Sequence, residues 1–129
     1  VTTRPGPLLA AALAAAALAG CSSGPQTAAP VEPGRARAAL AAALDAWKAG
    51  RPIDSLARDT PPVVAQDFDW MAGAKLEAYT LLDDGKAEDA NLRVRVQLTV
   101  RPAQGGPTKK TVTYVVGTDP KLTVFRALE

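Results

Sequence analysis

The chain contains no histidine, one cysteine, one methionine and only two each of Trp, Tyr and Phe. Without histidine it has no imidazole base for nucleophilic catalysis, and with one thiol it can assemble neither a zinc set of Cys and His ligands nor an intrachain disulfide. P-loop, GxGxxG, GxSxG and EF-hand patterns are also missing. No cofactor and no metal is expected, and any chemistry would rest on carboxylates, hydroxyls, Tyr, Lys and Arg. The scarcity of aromatics leaves Leu and Val to fill most of the core, and without crosslinks stability must come from packing.

Long apolar runs are lacking too. The longest, Leu8 to Ala19, is twelve residues, whereas a membrane-spanning helix needs roughly twenty. It follows one positive charge, Arg4, and ends in small residues, the n-region, h-region and cleavage-site pattern of a secretory signal. The closing residues Leu18-Ala19-Gly20-Cys21 resemble the lipobox of bacterial lipoproteins. That resemblance implies that residues 1–20 are removed, that Cys21 becomes the first residue and receives a diacylglyceryl thioether, and that the new amino group is acylated as well. Two or three acyl chains anchor stably where one does so only marginally. The expected location is the cell envelope, lipid-anchored to a membrane, with the domain facing the periplasm or the exterior. In that family an Asp directly after the Cys signals inner-membrane retention; here the position is Ser22.

Residues 21–34 combine the lipidated Cys with SSGPQTAAPVEPG, whose prolines and glycines predict a flexible tether. Residues 35–129 are enough for one small domain. Within it, Ala36, Leu40, Ala43, Leu44 and Trp47 recur at spacings of three and four, which predicts a helix over 35–49 stopped by Gly50 and Pro52. One or two helical turns over 53–59 would bury Ile53, Leu56 and Ala57, and 63–66 reads as a short strand. The period then switches to two. In 74–82 Leu76, Ala78, Thr80 and Leu82 are expected inward. The clearest strand is 91–101, where Leu92, Val94, Val96, Leu98 and Val100 alternate with polar residues. Strands at 108–116 and 121–127 follow, with Val112, Tyr114, Val116, Leu122 and Val124 inward.

A half-apolar sheet must bury its dry face against the apolar stripe of the helix. The expected class is α+β, an N-terminal helix packed on a curved antiparallel sheet of three to four strands. This order resembles the cystatin-like and nuclear-transport-factor-two-like folds. The run Asp67 to Leu76 also resembles a D-x-x-W-x-x-G-x-x-L pattern of small bacterial lipoproteins to which no chemistry is attached.

Two groups of residues are candidates for function. Asp67 and Asp69, beside Trp70, lie two apart on an extended segment and would point the same way. They could hold a hard cation or raise one pKa for acid catalysis; alternatively they satisfy backbone groups at a turn while Phe68 and Trp70 close one end of the core. The second group follows from charge: residues 32–90 hold seven Lys or Arg against eleven Asp or Glu, and residues 91–129 hold seven against two. Arg93, Arg95, Arg101, Lys109 and Lys110 would form a basic patch on adjacent strands, suited to lipid headgroups or an anionic wall polymer, or a solvated face that guards the sheet. Nucleic acid is a poor partner, since stacking aromatics are scarce. The expected function is that of a non-enzymatic envelope lipoprotein that binds a partner protein or ligand. The alternative is a carboxylate-dependent enzyme or small-ligand carrier using a cavity between helix and sheet near Asp67 and Asp69.

Overall fold

The computed structural model describes residues 27–128; the signal segment, Cys21 and the first part of the tether lie outside them. The first element is helix α1, Pro33–Lys48. Pro33 suits the first turn, where its missing N–H would have no intrahelical partner. The buried stripe is Ala36, Ala39, Leu40, Ala43, Leu44, Ala46 and Trp47, which contains every apolar position expected from the spacing. At the other end Gly50 takes φ +85°. Gly50 N donates to Trp47 O and Arg51 N to Ala46 O, the paired bonds of a Schellman stop.

The helix starts two residues before Arg35, and the chain ahead of it is strapped down. Ala29 N donates to Asp119 Oδ2 at 2.9 Å, Val31 N to Asp89 O at 3.0 Å and Glu32 N to Thr118 Oγ1 at 3.1 Å. Val31 is buried. Residues 29–34 of the expected tether are thus part of the folded unit.

A 3-10 helix, Ile53–Arg58, buries Leu56 but leaves Ala57 exposed, contrary to expectation, because the tighter turn does not align positions 53, 56 and 57. Six strands follow: β1 Val63–Gln66, β2 Lys75–Leu81, β3 Lys86–Glu88, β4 Asn91–Arg101, β5 Thr108–Gly117 and β6 Leu122–Arg126, with a single helical turn, α2 Phe68–Met71, between β1 and β2. The sheet order is β1-β6-β5-β4-β2, with β3 also on β4.

The α+β class and the curled sheet agree with expectation; the expected three to four antiparallel strands do not. Among the described residues the sheet has six strands, and it is mixed because β1 runs parallel to β6, from Val63 opposite Leu122 to Gln66 opposite Phe125. No local pattern announces a parallel partner nearly 60 residues away. Strand β3 carries no apolar alternation and all its residues are exposed; it exists because β4 extends past the end of β2 and offers Asn91 to Arg93 for pairing.

A second correction concerns β2. Leu76 is buried, but a bulge between Leu76 and Ala78 inverts the faces beyond it. Tyr79 and Leu81 pack on the core while Ala78, Thr80 and Leu82 are exposed. Strands β4, β5 and β6 keep their alternation, so Leu92 to Val100, Val112, Tyr114, Val116, Leu122 and Val124 all face α1. Two polar bonds fix the helix on the sheet: Trp47 Nε1 donates to Ala74 O at 2.8 Å and Tyr79 OH to Asp45 Oδ1 at 2.7 Å. No helix among the described residues is long and apolar enough to cross a membrane.

Candidate functional site

The Asp67–Trp70 segment sits where β1 ends. Asp67 keeps extended geometry, φ −153° and ψ 118°, and caps α2: its Oδ1 accepts from Asp69 N at 2.9 Å and Trp70 N at 3.2 Å. Its other oxygen, Oδ2, accepts from Tyr114 OH on β5. Arg126, the last residue of β6, donates through Nη1 to Asp67 Oδ1 at 3.1 Å and to Asp69 Oδ2 at 2.9 Å. Lys110 Nζ on β5 reaches Asp69 Oδ2 at 3.1 Å. The side chains of Arg126 and Asp67 are only 4% and 3% exposed. The guanidinium carbon lies 4.3 Å from the centroid of the Phe68 ring, within cation–π range.

The bonds from Asp69 N and Trp70 N to Asp67 are the backbone contacts of the turn reading. Four donors converge on Asp67, which matches the roughly four lone-pair sites of an ionised carboxylate. Two carboxylates face two cations, so the cluster is neutral in sum. Burial works to raise the Asp69 pKa, but the bonds from Lys110 and Arg126 outweigh it and hold Asp69 below the usual carboxylate range. Burial first, and then the charge and hydrogen bond of Asp67, push the Tyr114 hydroxyl well above its ordinary value. Tyr114 therefore keeps its proton as a donor. Three of the four donors to Asp67 meet on Oδ1 and one on Oδ2, so the carboxylate is engaged with α2, β5 and β6 together. Chemically, the cluster is a clamp holding α2 to the inner face of β5 and β6. No group of three metal-ligating side chains suited to an ion is found among the described residues.

Trp70 points into the core and stacks on Trp47, with ring centroids 5.4 Å apart and planes 6° apart. Its Nε1 donates to Arg51 O at 3.0 Å. Trp70 thus closes one end of the core as expected. Phe68 does not: it is 48% exposed, because helical geometry at α2 turns it away from Trp70 and the guanidinium covers its inner side. Phe68, Met71 and Leu128 instead line an open groove of about 450 Å³ with Gln66, Asp67, Phe125 and Arg126. Beside the Trp pair lies an open depression of about 240 Å³, and a second of about 460 Å³ adjoins Trp47 with Lys75, Glu77 and Arg101. Leu40, Leu44, Leu92, Val94, Val96, Leu98 and Val116 fill the centre of the space between α1 and the sheet, while at its edge a cavity of about 300 Å³ is lined by Ala39 and Ala43 of α1 with Leu56, Val63 and Leu122.

The basic residues separate. Arg93, Arg95 and Arg101 project from the outer face of β4, and Lys109, opposite Thr99, shares that face. Lys110 stands opposite Leu98, on the inner face, and belongs to the clamp. Arg101 Nε is paired with Glu77 at 2.8 Å. Lys75, opposite Arg101, and Lys86, opposite Arg93, join the outer face, which sequence reading did not anticipate. It also did not single out Tyr114 as a polar partner, or Arg126 at all. The signal for Arg126 was parity: Leu122 and Val124 inward imply Arg126 inward, just as Val112 and Tyr114 inward imply Lys110 inward. A buried Arg so implied demands carboxylates, and Asp67 and Asp69 were available.

No family model matches the chain, and neither a curated protein nor a solved structure matches it.

Proposed function

We propose that this chain is a membrane-anchored envelope lipoprotein whose small cystatin-like domain is a non-enzymatic binding module. The anchor rests on the Leu18-Ala19-Gly20-Cys21 motif. The binding role rests on one observation: the clamp spends its carboxylates and cations on each other while fixing α2 so that Phe68 and Met71 stay outside. Apolar side chains held exposed beside a groove are what a partner surface needs. The cystatin-like likeness lies in α1 held within the curve of the antiparallel strands β2, β4, β5 and β6.

Cell fractionation of wild type and Cys21→Ser tests the anchor. The Ser variant is expected to leave the membrane pellet with its domain folded, since the core is built from residues between Val31 and Val124; a variant that still pellets after a high-salt wash refutes the anchor. Phe68→Ser with Met71→Ser tests the module. It should cost about 0.5–1 kcal/mol through the lost cation–π contact with Arg126, leaving the domain folded, while removing proteins that crosslink to the intact chain in cells; a wild-type crosslinking pattern refutes that role.

A further inference from the structure

Among the described residues the outer face of the sheet presents exposed and half-buried side chains, and its rows combine positive charge with apolar side chains. One row crosses five strands in register: Gln66 on β1, Phe125 on β6, Val115 on β5, Arg93 on β4 and Lys86 on β3. In the adjacent row Arg95 stands opposite Thr113, and Leu82 N donates to Arg95 O at 2.8 Å, which places Leu82 beside it. Leu82 and Val64 are exposed apolar side chains, at 42% and 37%, and Val115 and Phe125 are half-buried. The strands of this face carry Lys75, Lys86, Arg93, Arg95, Arg101 and Lys109 against Glu77 and Glu88, six cations to two anions. Glu77 is taken up by Arg101 and Glu88 lies 3.8 Å from Lys86. Asp83, in the turn before β3, already accepts from Gly85 N and Arg95 N.

The chain also joins the domain at this end. Ala29 and Glu32 are tied to Asp119 and Thr118, just beyond Gly117, which pairs with Asn91. Ala29 lies eight positions after Cys21, a reach of at most about 28 Å for extended chain.

We infer that the outer face of the β3–β4–β5–β6 sheet, centred on Lys86, Arg93 and Arg95 with Leu82, Val115 and Phe125 between them, docks on an anionic lipid bilayer. This rests on the proposed acylation of Cys21, which confines the domain to one chain-length of the membrane. Anionic headgroups complement the cations, and the apolar side chains suit the headgroup boundary.

The test uses the full acylated chain on vesicles of phosphatidylcholine with and without phosphatidylglycerol, reading flotation and the rate of lysine acetylation by mass spectrometry. Lys86 labelling should slow several-fold on the anionic vesicles alone and recover in high salt, while Lys48 on α1 labels equally on both. Arg93→Gln with Arg95→Gln should remove that protection, since each cation lost weakens the attraction to the headgroups about fivefold, and the variant should still float. Equal Lys86 labelling on both vesicles, in a chain that floats with both, overturns the docking and leaves the anchor standing. A chain that floats with neither overturns both.

Discussion

Replacing Arg126 by Met isolates the clamp. Methionine keeps an apolar stem of similar length and removes only the guanidinium, so lost packing is small. Two ion pairs disappear, to Asp67 at 3.1 Å and Asp69 at 2.9 Å, together with the contact on Phe68. Removing one partner of a buried pair typically costs 3–5 kcal/mol, because the other charge stays behind uncompensated. Asp67 still has Asp69 N, Trp70 N and Tyr114 OH, and Asp69 still has Lys110, which places the loss near the low end, about 3 kcal/mol. The cation–π contact adds about 0.5–1 kcal/mol. Against the 5–15 kcal/mol total of a typical domain, Arg126→Met should remain folded with a reduced midpoint. Equilibrium urea unfolding followed by the fluorescence of the Trp47–Trp70 pair measures it. Asp67→Asn combined with Arg126→Met should cost less than the sum of the singles, by about 1–3 kcal/mol for residues in one network. A single-variant loss under about 1 kcal/mol, or strict additivity, would refute the clamp.

Two further outcomes follow from the same geometry. The Asp69 pKa is lower in the folded state than its ordinary value, so its contribution is full above about pH 4 and is lost as pH falls through the folded value; Asp69→Asn should lower stability at pH 7 and flatten the acid limb of an unfolding-free-energy profile, and an unchanged acid limb contradicts this. Gly85 adopts φ +97°, and a Cβ there would lie 2.7–3.0 Å from the Leu92 side chain; Gly85→Ala should cost about 2 kcal/mol or more from backbone strain and displacement of a buried leucine, and a denaturant melt within 0.5 kcal/mol of wild type, inside the usual surface range, would contradict it.

Sequence made some parts of this structure plain and hid others for physical reasons. Helix α1 and strand β4 were legible because each has one apolar parity: 36, 40, 43, 44 and 47 on the helix, and the even positions from Leu92 to Val100 on the strand. Strand β2 was not, because both its parities carry apolar side chains, Leu76 and Ala78 on one and Tyr79 and Leu81 on the other, and only the bulge decides which is buried. Asp67 and Asp69 were legible as a pair. Their partners are 57 and 59 residues away at Arg126, and 47 away at Tyr114, so no local pattern could name them. Lys109 and Lys110 were assigned to one patch although adjacent strand residues face opposite sides; alternation alone would have separated them.

The place of the clamp in the ladder explains why a charge cluster is kept at the edge of an aliphatic core. Strand β1 has four residues and pairs in parallel with β6 alone, a weak basis for choosing a register. The last paired residues are Gln66 and Phe125, so Asp67 and Arg126 are the next step of the same ladder. A slip by one residue would put Gln66 or Phe68 beside Arg126 and move Val63 from the core to the outer face. Either slip leaves a buried guanidinium without its carboxylates, a penalty of several kcal/mol that the few bonds of a four-residue strand cannot offset at about 1 kcal/mol each. The ion pair therefore selects the one register in which Val63 is buried, Trp70 reaches Trp47 and Phe68 stays outside. Apolar replacements could match the stability of the clamp, but they would not distinguish these registers from one another.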